Sequence, residues 1–245
     1  MICLILAAGY ATRLYPLTEN FPKPLLKVGD KTILDHLTDD IVSGGVVSEF
    51  VVISNHKFAH HFEDWAKTKD YKITVVDDGT STNETRLGAV MDIKFAMDKL
   101  AIKDDVLIIA GDNVLDFSLN KFVDYAVTKG TSCVMRYFEA DEKKLSKTGV
   151  LELEGDTIIS MEEKPPNPKS NWCCPPFYIY KYDDISNIDV AVKDGCGTDA
   201  PGSFVSWLCK KTEVNAMPMP GSRYDIGNLE SYEKVQNEYK GITVK

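Results

Sequence analysis

The chain has 245 residues, 44% of them hydrophobic, and a formal net charge of −9 at pH 7. That length and composition suit a globular protein with a sizeable core. The acidic balance argues against a general nucleic-acid binder, which needs a basic footprint, and no apolar run approaches the ~18 residues of a membrane-spanning helix. The cysteines Cys3, Cys133, Cys173, Cys174, Cys196 and Cys209 have neither a zinc spacing nor the pattern of a secreted framework. Ile2–Leu6 is too short for a signal peptide and leads straight into polar sequence. Reduced thiols in a cytoplasmic protein are therefore expected.

Ile2–Leu6 reads as a buried strand that breaks at Ala7-Ala8-Gly9 into a loop of small residues. Such a loop lets backbone N–H groups approach an anion, and successive ones can cradle a phosphate. Arg13 adds a forked cation suited to phosphate oxygens, and Lys23, between Pro22 and Pro24, adds a second. Next, Ile33, Leu34, Leu37 and Ile41 recur at helical spacing, and Gly44-Gly45 end the helix. Strands are expected at Phe50–Ile53 and Ile73–Val76, with a helix over 57–69 between them. The paired His60 and His61 lie on that helix without a third metal ligand at useful spacing, so a surface helix is the simpler reading. A polar loop, 77–86, precedes a helix over 87–100, and Val106–Ala110 is a strand ending at Gly111-Asp112-Asn113.

This alternation argues for a parallel sheet with helices on both faces. Ligands in such folds bind beyond the carboxyl ends of the strands. The opening loop and Asp112 both fall at such ends. Beyond residue 115 the texture changes. A helix over 122–127 and a strand over 132–137 precede two short strands, 149–153 and 157–162, joined at a Gly155-Asp156 turn. A strand at Phe177–Tyr180 and helices over 203–211 and 228–239 complete the pattern. The reading is one mixed α/β domain over 1–245 with a mainly parallel central sheet and a Rossmann-like arrangement. Residues 1–115 form one half of it and 116–245 the other.

The order strand, small loop, Thr12-Arg13, Pro16-x-Thr18 and Pro22-Lys23-Pro24 resembles the signature of the sugar-phosphate nucleotidyltransferases, the family that includes glucose-1-phosphate thymidylyltransferases. Their pattern runs L-A-x-G-x-G-T-R-L-x-P-x-T and then P-K-P. Here Ala11 replaces the second glycine, and because alanine resists a positive φ, a local change in loop shape is expected. The resemblance returns near residues 112, 149, 163 and 225 and so covers most of the chain. It implies a Mg²⁺-dependent enzyme that joins a nucleoside triphosphate to a phosphorylated small-molecule acceptor. Nucleic acid and membrane are not expected partners, and a monomer or homodimer is. Mg²⁺ would also offset the acidity of the chain at an anionic substrate.

On this resemblance Arg13 grips the β/γ side of the triphosphate, Lys23 lies near the α-phosphate, and Asp112 and Asp225 share the metal. Leu6, Ala7, Ala8, Gly9 and Gly111 would form the nucleotide-binding backbone. Gly149, Glu163, Lys164 and Asn171 would bind the acceptor, with Lys164 on its phosphate and Glu163 on a sugar hydroxyl. Two departures stand out. The base-reading loop carries Asn83, whose amide suits a pyrimidine edge, and a similar loop occurs in phosphocholine cytidylyltransferases. The run Pro175-Pro176-Phe177 stands where relatives have a glycine and is expected to crowd the acceptor wall. The leading expectation is an NDP-sugar-forming enzyme with a pyrimidine triphosphate. Its alternative is a CTP-dependent cytidylyltransferase for phosphocholine, an aminoalkylphosphonate or a similar small phosphate. A non-catalytic nucleotide sensor needs fewer of these charged residues. A dinucleotide-dependent oxidoreductase is excluded by the lack of G-x-G-x-x-G and of an acidic residue after the second strand.

Overall fold

The computed structural model describes residues 1–244. In chain order its strands are β1 (Ile2–Leu6), β2 (Lys27–Val28), β3 (Lys31–Thr32), β4 (Glu49–Ser54), β5 (Ile73–Asp77), β6 (Val106–Ala110), β7 (Asn113–Leu115), β8 (Ser132–Phe138), β9 (Gly149–Glu154), β10 (Thr157–Glu163), β11 (Trp172–Cys174), β12 (Phe177–Tyr180), β13 (Val214–Pro218) and β14 (Arg223–Asp225). The helices are α1 (Ile33–Ser43), α2 (Ala59–Ala66), α3 (Ala89–Lys99), α4 (Asn120–Lys129), α5 (Glu142–Leu145), α6 (Tyr182–Ile185), α7 (Ile188–Lys193), α8 (Gly202–Leu208) and α9 (Leu229–Glu238). No helix among the described residues is long and apolar enough to cross a membrane. Residue contacts divide the chain into two compact units. The first comprises residues 1–86, 109–121 and 220 onward; the second comprises 87–108 and 122–219.

In the first unit β1, β4 and β5 pair in parallel, with Ile2 opposite Glu49 and Phe50 opposite Ile73. Cys3, Leu4, Ile5 and Val51–Ile53 are fully buried. Strands this apolar along their whole length need cover on both sides, which is why they lack the polar alternation of a solvent-facing sheet. A separate two-stranded ribbon pairs β14 antiparallel with β7, setting Asp225 opposite Asn113. Leu14, Leu26, Val28, Ile33, Val114, Ile226 and Val235 form one buried cluster in this unit. The cluster ties the segment after β1 to β7, to the residue after β14 and to α9. Distant stretches of sequence are thereby held together by burial, worth roughly 1.5–3 kcal/mol per fully buried aliphatic side chain.

The start of α1 carries a further lock. Thr32 Oγ1 accepts from the Asp35 amide at 3.0 Å, and Asp35 Oδ2 accepts from the Thr32 amide at 2.9 Å, a reciprocal cap. Asp35 Oδ1 also accepts from Trp65 Nε1 at 2.8 Å and from Lys69 Nζ. Burial alone pushes this carboxyl up. The bonds from Lys69, the Thr32 backbone and Trp65 outweigh it and hold the group at about 2. A depressed acid stabilises the fold above its unfolded value near ~4, and that contribution is lost as pH falls through its folded value. We expect about 2 kcal/mol of folding stability to disappear between pH ~4 and ~2. Denaturant unfolding as a function of pH should show this loss in the wild type but not in Asp35→Asn.

In the second unit β8 is the hub. It pairs in parallel with β13 and antiparallel with β11 and β12. β9 and β10 form a hairpin through Gly155, which adopts φ +62, and β10 meets β13 antiparallel. The first turn of α3 donates to the carbonyls of Asp199 and Thr198. Taking both units together, antiparallel neighbours outnumber parallel ones. The expectation of a mixed, mainly parallel sheet is therefore corrected to a mixed, mostly antiparallel one. Parallel neighbours need long crossover connections, and after β6 the chain instead uses hairpins and short links that force antiparallel pairing.

Candidate active site

The loop after β1 is pinned from two sides. The Ala7 amide donates to the Ile53 carbonyl at 2.9 Å, and buried Asn55 donates through Nδ2 to the Ala8 carbonyl at 2.9 Å. Gly111, just past β6, donates its amide to the Leu6 carbonyl at 3.1 Å. A methyl added at Gly111 would lie 3.0 Å from Pro24 Cγ, so the glycine is what lets the Pro-Lys-Pro segment close in. A methyl added at Gly9 meets nothing within 4 Å, leaving that face of the loop open to a ligand. Leu6, Ala7, Ala8, Gly9 and Gly111 thus gather at the carboxyl ends of β1 and β6.

Contrary to expectation, Ala11 does not avoid a positive φ. Ala11 takes the left-handed conformation itself, at φ 47 and ψ 41. Its carbonyl accepts from Thr18 Oγ1 at 2.8 Å and from the Leu14 amide at 2.9 Å, and these bonds hold it there. The left-handed region costs an L-residue about 1–2 kcal/mol. Glycine avoids that cost but loses about 0.4–1 kcal/mol through a freer unfolded chain. Ala11→Gly is therefore expected to stabilise the protein by about 0.5–1 kcal/mol. A lowered denaturation midpoint would show that residue 11 is not strained.

Arg13, Lys23, Asp112 and Asp225 converge in the first unit. Lys23, on a single helical turn after Pro22, is buried, and its Nζ lies 2.8 Å from Asp112 Oδ2. Asn113 Nδ2 donates to Asp112 Oδ1 at 2.6 Å. Arg223 in turn donates to Asn113 Oδ1 at 2.7 Å and stands 3.8 Å from Asp225 Oδ1. A methyl built on Gly227 would lie 3.6 Å from Asp225 Oδ2 and 4.0 Å from Arg13 Nη1, which places the guanidinium beside that acid. Burial raises the Asp225 carboxyl above the usual carboxylate range and the Asp112 charge raises it further. Arg223, Lys23 and Arg13 pull it back. Two neighbouring acids with cations at their edge would suit a divalent cation.

Arg223 and Asn113 were not singled out from the sequence. Arg223 lies two residues before Asp225, so on a strand both side chains take the same face. With β14 only three residues long, that alternation is too brief to be read as a strand from the sequence alone. In the loop after β5, Asn83 is exposed and its Oδ1 accepts from Arg86 Nη1 at 3.1 Å. Tyr10 reaches the same loop, donating to the Thr80 carbonyl at 3.3 Å.

The expected acceptor residues fall in the second unit. Gly149 begins β9 opposite Glu163, the last residue of β10. Burial raises the Glu163 carboxyl, with Lys164 partly opposing it. Lys164 is exposed and holds the left-handed φ of 49, its amide donating to the Thr148 carbonyl at 3.0 Å. A non-glycine residue kept in that conformation is a common mark of a functional loop. Asn171 uses its side-chain amide to donate to the Glu139 carbonyl at 2.8 Å, and so anchors the 164–171 loop. Phe177, expected to crowd the acceptor wall, is fully buried in the core beside buried Pro175.

The description of the Nucleotidyl transferase family matches residues 2–241. The chain belongs to that family. It is 29% identical over 96% of its length to a Sulfolobus acidocaldarius protein assigned as a mannose-1-phosphate guanyltransferase, covering 62% of that protein. It is 26% identical over 95% of its length to a glucose-1-phosphate adenylyltransferase of Thermotoga neapolitana, covering 59% of it. The chain thus spans about three fifths of the length of the curated relatives it matches. Its fold is similar to that of apo UDP-glucose pyrophosphorylase, with a TM-score of 0.83 at 22% identity and 98% of each chain covered.

Proposed function

We propose that the protein is a Mg²⁺-dependent nucleotidyltransferase that condenses a nucleoside triphosphate with a sugar 1-phosphate, giving an NDP-sugar and pyrophosphate. Family membership supports the reaction class, and the names of the relatives support the acceptor class. The observation that carries the reading is the meeting of Arg13, Lys23, Asp112 and Asp225 around one patch. An oxygen of the acceptor phosphate attacks the α-phosphorus, a new P–O bond forms, and the bond to pyrophosphate breaks. The attacking phosphate is already a nucleophile, so positioning and charge neutralisation do most of the work.

In this reading Lys23 faces the α-phosphate and its bridge to pyrophosphate, and Arg13 holds the β and γ oxygens. Lys164 holds the acceptor phosphate and Glu163 accepts from a sugar hydroxyl. Asp112 and Asp225 would hold Mg²⁺, which neutralises charge on the departing pyrophosphate when bound. Among the described residues no group of three or more His, Cys, Asp or Glu is arranged for a metal. Two carboxylates completed by phosphate oxygens and water are a normal Mg²⁺ set, so the donor pair fits.

The relatives' names differ in their base, so the pyrimidine reading rests on this chain alone. With Asn83 Oδ1 taken by Arg86, its Nδ2 remains a donor toward a pyrimidine carbonyl. The test is pyrophosphate release with GTP, ATP, UTP, dTTP and CTP, each crossed with four sugar 1-phosphates, phosphocholine and aminoethylphosphonate. Turnover with a sugar 1-phosphate is expected. Release only with CTP and phosphocholine or the phosphonate would replace the leading reading with the cytidylyltransferase one, and no release with any pair would leave a nucleotide sensor.

A further inference from the structure

Glu163 ends β10 with its side chain among Met161, Gly149 and Gly202. No other residue of the chain donates a hydrogen bond to its carboxylate among the described residues. A side chain added at either glycine would enter the space the carboxylate occupies. At Gly149 the new carbon would lie 3.2 Å from Glu163 Oε1. At Gly202, the first residue of α8, it would overlap Glu163 Oε1 outright and sit 3.1 Å from Cδ. Van der Waals contact between such atoms needs about 3.5 Å, so residue 202 cannot carry a side chain while the carboxylate stays.

The helix cannot easily retreat to make room. Ser206 donates through Oγ to the Met161 carbonyl, fastening α8 to β10 one turn after Gly202. Phe204, Val205 and Leu208 of the same helix are buried. The yielding element would be the Glu163 side chain, which would swing out of its seat. The methyl of Met161 also touches the space at both glycines, but a thioether end shifts at little cost.

We propose that Gly202 is a positioning residue for the acceptor: by lacking a side chain it seats the Glu163 carboxylate, whose unused lone pairs then read the hydroxyl groups of a sugar 1-phosphate. This rests on the acceptor role proposed for Glu163 above. A carboxylate with no donor of its own keeps its full accepting capacity for a polyhydroxylated ligand. Its half-buried seat makes that pairing selective, because an acceptor lacking the matching hydroxyl leaves the carboxylate less satisfied.

The test is a double-mutant cycle on the full chain, using the fastest pair found among those triphosphates and glucose, mannose, galactose and N-acetylglucosamine 1-phosphates. Gly202→Ala is expected to raise the acceptor KM at least tenfold, with triphosphate binding by equilibrium titration within twofold of wild type. In a Glu163→Ala chain the same change should alter the acceptor KM less than twofold, because no carboxylate is left to displace. An equal effect in both backgrounds would overturn the inference and leave the role of Glu163 standing. An unchanged acceptor KM in Glu163→Ala alone would overturn that role and this inference with it, as would absence of turnover with every pair. If Gly202→Ala does not fold, the Glu163→Ala/Gly202→Ala chain should. Its failure to fold would equally overturn the seat.

Discussion

Lys23→Met is expected to fold like the wild type and to lose at least about a hundredfold in turnover. Lys23 is buried, and its ammonium is held 2.8 Å from Asp112, so its position is set before any substrate arrives. A preorganised charge aimed at the phosphates costs nothing to reorganise during reaction, and loss of one such group is commonly worth ~3–4 kcal/mol at the transition state. Methionine keeps most of the aliphatic stem, so packing around Pro22 and Pro24 is preserved. Asp112 loses one partner, but its side chain is 38% exposed and retains Asn113, which limits the damage to the fold. Arg13→Ala should show a loss of the same order. Steady-state pyrophosphate release alongside a thermal melt checks both, and turnover within fivefold of wild type would remove that residue from the mechanism.

The paired change Asp112→Asn and Asp225→Asn should be more severe, because both proposed metal donors go at once. We expect turnover to fall by about a thousandfold and the Mg²⁺ requirement to shift upward by at least tenfold, as neutral amides are poor substitutes for carboxylates around a hard cation. A Mg²⁺ titration of activity, run for each single change and for the pair, separates the two acids. An unchanged Mg²⁺ dependence in the double variant rules both out as its ligands. An effect confined to Asp112→Asn would instead assign Asp225 to holding Arg13 and Arg223.

Much of this candidate site was legible because its residues sit where strand ends meet loops. The apolar run Ile2–Leu6 followed by small residues, and Val106–Ala110 followed by Gly111-Asp112, gave two strand ends from composition alone. The proline-flanked Lys23 was conspicuous for the same reason. What escaped were features that depend on partners far along the chain. Strands as short as β7 and β14 have too few residues to show a period, so the ribbon carrying Asp225 and Arg223 was invisible. The parallel pairing of β13 with β8 joins segments separated by all of β9–β12, and local patterning cannot reveal it. The bond from Asn171 to the Glu139 carbonyl, 32 positions earlier, is another such feature. Ala11 was misjudged because propensity predicts relaxation of strain, while the bonds from Thr18 and Leu14 hold the residue in place.

The division of the chain has a consequence for biosynthesis. The second unit is encoded by residues 87–108 and 122–219, whereas the first needs Met1–Arg86, Ile109–Lys121 and the stretch from Pro220 onward. Val235 and Ile226 close a cluster whose earliest member is Leu14. During synthesis every residue of the second unit has therefore been made while the opening segment still lacks two members of its buried cluster. Until Ile226 and Val235 are made, the cluster around Leu14 and Leu26 is incomplete, and part of its apolar surface stays exposed during synthesis.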